Sequence, residues 1–151
     1  MIIWLASYPK SGNTLLRSIL SAYFYSSGGD FKFDNLYKIT QFPAIHHFMK
    51  LGVNIDDEKE VFKNFINAQN LINEESKKAK FFKTHSKLCQ MYESNFTDLK
   101  NTLGAIYIIR DPRNVVTSFA HHYELSIDEA TEALIDEKRF MVKTDKNASA
   151  F

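Results

Sequence analysis

The opening segment constrains this chain more than any other part of it. Ile2-Ile3-Trp4-Leu5-Ala6 is an apolar run of strand length, Ser7-Tyr8-Pro9-Lys10-Ser11-Gly12-Asn13-Thr14 is rich in small and turn-forming residues, and Leu15-Leu16-Arg17-Ser18-Ile19-Leu20 has the character of a helix. Strand, tight loop and helix in that order make an anion cradle. The first N–H groups of a helix have no intrahelical partner, and the helix dipole adds partial positive charge at the same end. Gly12 permits close backbone approach, Lys10 adds a full charge, and Ser11 and Thr14 add hydroxyls. Such a loop points to a phosphorylated ligand.

The position of the lysine narrows the choice. A Walker A loop ends Gly-Lys-Ser/Thr, whereas here Lys10 precedes Gly12 and the loop is shorter, a poor match to an ordinary ATPase or kinase. A second strand-to-helix junction lies at Gly104-Ala105-Ile106-Tyr107-Ile108-Ile109, followed by Arg110-Asp111-Pro112-Arg113. Asp111 suits an N-cap, and Pro112 suits the first helical position, where its missing N–H costs nothing. Arg110 then stands at a strand's carboxyl end, with Ser118 about two turns into the next helix. A guanidinium there stays charged at any working pH and binds phosphate oxygens in bidentate fashion. A third junction, Lys80-Phe81-Phe82-Lys83-Thr84-His85-Ser86, reads as a strand entering a loop. All three groups fall at the carboxyl ends of predicted strands, where open α/β sheets bind ligands.

Predicted strands alternate with predicted helices, which implies an α/β fold with a mainly parallel sheet flanked by helices. The elements expected are strands 2–6, 80–84 and 104–109, and helices 12–25, 57–75, 112–123 and 126–138. Residues 34–51 are expected to be helical with a break near Pro43, and a short helix is expected near 94–101. Asp57 with Glu60 and Ser126 with Glu129 read as capping boxes. The aromatic stretch Phe31 to Phe48 suits either packing or a substrate wall.

With 151 residues the chain forms one modest domain, and a formal net charge of +1 argues against a nucleic-acid footprint. The one cysteine, Cys89, excludes an intramolecular disulfide and fits a reducing compartment. No run approaches the roughly 20 apolar residues of a membrane span, and no basic-then-apolar leader opens the chain, so a cytoplasmic location is expected. His46-His47 and His121-His122 lack the spacing of a metal site and read as structural or surface residues.

Tyr8-Pro9-Lys10-Ser11-Gly12-Asn13-Thr14 resembles the 5′-phosphosulfate loop of sulfotransferases that use 3′-phosphoadenosine 5′-phosphosulfate (PAPS), usually written Tyr-Pro-Lys-Ser-Gly-Thr-Thr-Trp. Asn13 stands where Thr is common and Leu15 where Trp is common. Arg110 and Ser118 resemble that family's 3′-phosphate motif, with its eight-residue gap, and Lys83-Thr84-His85 resembles its Lys-Thr-His motif, with Ser86-Lys87 in place of Leu-Pro. The resemblance implies a P-loop-like three-layer architecture and in-line transfer of a sulfuryl group from PAPS to an acceptor hydroxyl or amine. It implies His85 as general base, Lys10 on the oxygen bridging sulfur and phosphorus, and Lys83 near the sulfonate oxygens. Lys10, Ser11, Gly12, Asn13 and Thr14 would hold the 5′-phosphate, and Arg110 and Ser118 the 3′-phosphate. The lysines would supply the charge that a metal gives in a kinase, so no metal is implied. The acceptor would be a small molecule or a glycan.

Family members are longer and carry a carboxyl-terminal Arg-Lys-Gly-x-x-Gly-type segment, which has no counterpart before Phe151. The expectation is therefore one sulfotransferase-like domain over residues 1–151, representing the amino-terminal portion of the family domain. Two alternatives follow: a truncated, non-catalytic module that binds 3′-phosphoadenosine nucleotides, and an ATP-dependent kinase with a degenerate P-loop.

Overall fold

A computed structural model describes residues 1–136 and places the three predicted strands in one parallel sheet. Strand β1 (Ile2–Ser7) is central, β2 (Lys80–Thr84) pairs on one side, and a later strand, Thr102–Ile108, pairs on the other. Ala6 lies opposite Thr84, and Ser7 opposite Ile108, so the carboxyl ends of all three strands meet at one edge. That alignment brings the loops after them together.

Side chains alternate across the sheet. On one face Ile2, Trp4 and Phe82 join Phe42, Phe48, Phe65 and Phe96 in the main core. Trp4 sits among these rings, 5.1 Å from Phe96 and 5.5 Å from Phe42 between centroids, and its indole N–H donates to Thr102 Oγ1 at 2.9 Å. Each aromatic so buried stabilises the fold by about 1.5–3 kcal/mol. On the opposite face helix α1 (Asn13–Tyr25) packs on the sheet, with Phe24 meeting Phe81 at 5.3 Å. Layers on both faces give the α/β arrangement expected from the sequence.

Several local expectations change. The stretch 34–51 forms two short helices, α2 (Phe33–Leu36) and α3 (Ile45–Met49). Phe42 and Phe48 from this stretch are fully buried core residues, not a substrate wall. The helix expected over 57–75 is broken at Asn64 into α4 (Glu58–Lys63) and α5 (Phe65–Glu74). Asn64 leaves helical geometry (φ −100°, ψ 8°), and its amide donates to Glu60 O at 2.9 Å, which competes with helical continuation. Asp57 caps α4 through Glu60 N–H, while the Glu60 carboxylate accepts from Asn54 N–H, so only half of that capping box forms.

The helix expected near 94–101 does not form. A hairpin stands there instead, with β3 (Gln90–Met91) and β4 (Ser94–Asn95) joined through Tyr92 and Glu93, both at positive φ as a tight hairpin turn demands. Asp98 then accepts from Asn101 N–H at 2.8 Å and turns the chain into the third sheet strand, β5 (Thr102–Ile108). Helix α6 (Pro112–Tyr123) starts as predicted, with the Asp111 carboxylate accepting from Arg113 N–H. Helix α7 (Ile127–Ile135) packs on α6 through Phe119, Ala120, Ala130 and Ala133, and the Ser126–Glu129 capping box is complete. Lys138, the expected end of that helix, lies outside the described residues.

Candidate active site at the carboxyl edge of the sheet

The loop after β1 reverses the chain using two left-handed residues, Lys10 (φ 66°) and Gly12 (φ 106°). Gly12 occupies the N-cap of α1 with no side chain closing the helix start, and the space where a Cβ would stand is open. The first helical bond runs from Leu16 N–H to Gly12 O, so the N–H groups ahead of it have no partner within the helix. Backbone donors, Lys10 and the hydroxyls of Ser11 and Thr14 form a donor set suited to a phosphate.

Asn13 behaves differently from its neighbours. It is buried, and its amide nitrogen donates to Leu5 O at 2.8 Å and to Ser7 Oγ at 3.1 Å. The side chain ties the loop back onto β1, leaving the backbone as the part of Asn13 that a ligand can use.

His85 leaves the end of β2 and reaches the end of β1. Its Nδ1 lies 2.7 Å from Ser7 O, and because a carbonyl only accepts, Nδ1 carries the proton. Nε2 is then the nitrogen with a lone pair. Burial, reinforced by the charges of Lys83 and Arg17 and opposed by the Ser7 bond, lowers the imidazole pKa to about 4. His85 is therefore neutral at physiological pH. Lys83 is lowered to about 8 by burial first, then by the charges of Arg17 and Lys10.

Arg17 was not singled out by the sequence, yet it belongs to this cluster. It sits on α1 one turn beyond Thr14, donates through Nη2 to Leu36 O (3.1 Å) and Ile39 O (2.6 Å), and keeps a buried Nε without a partner. The available signal was a cation inside the apolar stretch Leu15 to Leu20, spaced to share a helix face with the loop. Lys10, Arg17 and Lys83 thus raise the local potential together, a field that favours an anion.

Arg110 extends from the end of β5 and donates through Nη1 to Lys10 O at 3.0 Å. Asp111 does not compete for it, because that carboxylate pairs with Arg113. Ser118 lies on α6, about two turns after its first residue Pro112. The loop residues, Lys83, His85 and Arg110 are therefore gathered at one edge. His46 and His47 are elsewhere: His47 is buried with Nδ1 accepting from Ala44 N–H, and the His46 ring lies tilted against it at the surface, 4.0 Å between centroids. Among the described residues no group of three or more His, Cys, Asp or Glu side chains is placed to hold a metal ion, and no helix is long and apolar enough to cross a membrane.

No curated protein matches the chain. The parallel sheet and its gathered loops are nonetheless those of a recognised domain: the family model described as the sulfotransferase domain matches residues 2–146, and the chain belongs to that family.

Proposed function

We propose that the chain transfers a sulfuryl group from PAPS to an acceptor hydroxyl, with His85 as the base. The observation that carries this reading is the 2.7 Å contact from His85 Nδ1 to Ser7 O, which puts a proton on Nδ1 and so leaves Nε2 as the lone-pair nitrogen of the neutral imidazole that burial and nearby positive charge favour. The acceptor oxygen forms a bond to sulfur, and the bond from sulfur to the bridging oxygen breaks with its electron pair remaining on adenosine 3′,5′-bisphosphate. The acceptor's proton goes to His85 Nε2. An amine acceptor would lose its proton by the same route.

The chain's own contribution is placement and charge. Lys10 stabilises the bridging oxygen as negative charge builds there, and Lys83 faces the sulfonate oxygens. Ser11, Gly12, Thr14 and the backbone of Asn13 hold the 5′-phosphate. Arg110 and Ser118 take the 3′-phosphate, which an ATP-dependent kinase would have no reason to bind.

Calorimetric titration with adenosine 3′,5′-bisphosphate and with ATP tests the nucleotide, and transfer of labelled sulfate from PAPS tests the chemistry. Binding of the bisphosphate at least tenfold tighter than ATP, with transfer abolished in His85→Ala, is the expected result. ATP binding as tightly would sink the PAPS reading. Tight bisphosphate binding without transfer to any acceptor would leave only a nucleotide-binding module.

A further inference from the structure

The stretch between α2 and α3 has a task besides filling the core. Thr40, Gln41 and Phe42 run alongside the end of β2, with Gln41 bridged in parallel to Lys83. There Lys83 N–H donates to Thr40 O at 2.9 Å, and Lys83 O accepts from Phe42 N–H at 2.9 Å. Both main-chain groups of Lys83 are thus held by segment 40–42. The segment is anchored from within by Phe42 and by Ile39 just ahead of it, both fully buried.

Arg17 holds the same segment from the other side. Its Nη2 donates to Leu36 O, at the end of α2, and to Ile39 O, so one nitrogen spends both hydrogens on the turn that leads into Thr40. Arg17 itself stands on α1, the helix that begins at the phosphate loop. A continuous path of bonds therefore runs from that helix through Arg17, the 36–39 turn and segment 40–42 to Lys83.

Packing alone does not account for an arginine at this position. Its Nε is buried without a partner, which costs free energy that a leucine would not. Its charge also works against Lys83, whose ammonium is lowered to about 8 by burial first, then by Arg17 and Lys10. Two like charges brought together weaken a fold by repulsion, and an anionic ligand is what offsets it.

We propose that Arg17 is a positioning residue: by clamping the 36–39 turn to α1 it fixes segment 40–42 against β2 and so holds Lys83 in line with the phosphate loop. The inference rests on the sulfuryl-transfer reading above, in which Lys83 faces the sulfonate oxygens. Arg17 touches no reacting atom in that scheme and acts through Lys83. A guanidinium suits the task because its planar fork is pre-organised and keeps its charge, whereas a lysine is a point charge on a flexible stem.

Amide hydrogen exchange of the free protein reads the clamp with no donor or acceptor present. In Arg17→Gln the amides of Lys83 and Phe42 should exchange at least about tenfold faster while those of β1 keep their protection. Transfer kinetics read the consequence. In the same variant kcat should fall at least about tenfold further than adenosine 3′,5′-bisphosphate affinity does, and in a Lys83→Ala background the substitution should cost kcat nothing more, since the side chain it positions is gone. Unchanged exchange at Lys83 and Phe42 overturns the proposal. So does an equal loss of protection throughout β1, which would make Arg17 a packing residue, or a full further loss of kcat in the Lys83→Ala background. Should Arg17→Gln fail to fold, Arg17→Lys, which loses the fork, is measured in its place under the same criteria. A wild-type chain that transfers no sulfate from PAPS overturns the transfer reading instead, and the exchange result still decides the clamp.

Discussion

Arg110 Nη1 donates to the carbonyl oxygen of Lys10 at 3.0 Å, joining the phosphate loop to the start of α6 across 100 residues of sequence. Lys10 is held at positive φ, a conformation unfavourable for a residue with a Cβ, and this bond helps to keep it there. One guanidinium thus braces the loop and, on the proposed function, meets the 3′-phosphate.

Arg110→Ala should therefore weaken two ligands unequally. Adenosine 5′-phosphate loses only the brace, whereas adenosine 3′,5′-bisphosphate also loses a charged phosphate contact of about 1.5–3 kcal/mol. Calorimetry should show the bisphosphate losing about ten- to a hundredfold more affinity than the monophosphate. Equal losses would confine Arg110 to the brace.

Asn13 makes a separate prediction about stability. Asn13→Ala leaves Leu5 O and Ser7 Oγ without their buried donor, at a cost of about 2 kcal/mol in denaturant unfolding. Because Ser7 also holds His85, any transfer rate should fall further than bisphosphate affinity does. A variant with unaltered stability would show that the loop does not depend on this tether.

The sequence conveyed the strand-loop-helix junctions well because each is a local pattern: a β-branched run, then a cap or a small-residue turn, then helical spacing. It failed where side chains decided the outcome. Asn64 ended a helix whose apolar periodicity continued past it, since that periodicity carries no information about an amide bonding back to Glu60 O. The hairpin at 90–95 needed Tyr92 and Glu93 at positive φ, a conformation their identities do not advertise. Phe42 and Phe48 could have lined a pocket or filled a core, and only the three-dimensional position of Trp4 and Phe65 settles them in the core. Arg17 and Ser7 were missed because one acts through its charge at a distance and the other through a carbonyl every residue possesses.

Lys83 should set the alkaline limit of activity. Its ammonium is required in the proposed mechanism, and its pKa is lowered to about 8 by burial, Arg17 and Lys10. The free protein's kcat/KM with PAPS should therefore decline as pH rises through about 8. Lys83→Arg keeps its charge at any such pH, so that decline should disappear even if the maximal rate drops. A Lys83→Arg profile with the same alkaline limb would assign that limb to another group.

Acid should destabilise the fold before most carboxylates titrate. His85 and His47 are each lowered from 6.5 to about 4, His47 by burial first and then by its neighbour His46. Between those pH values the unfolded chain binds protons at both sites and the folded chain does not, so stability is full above 6.5 and falls as pH drops toward 4. Each histidine contributes on the order of 3 kcal/mol across that interval. His47→Gln retains an acceptor for Ala44 N–H but cannot titrate, so its loss of stability between pH 6.5 and 4.5 should be markedly smaller than that of the unaltered chain. Thermal unfolding at closely spaced pH values measures this directly, and identical pH slopes for the two proteins would show that His47 is not the acid-sensitive group.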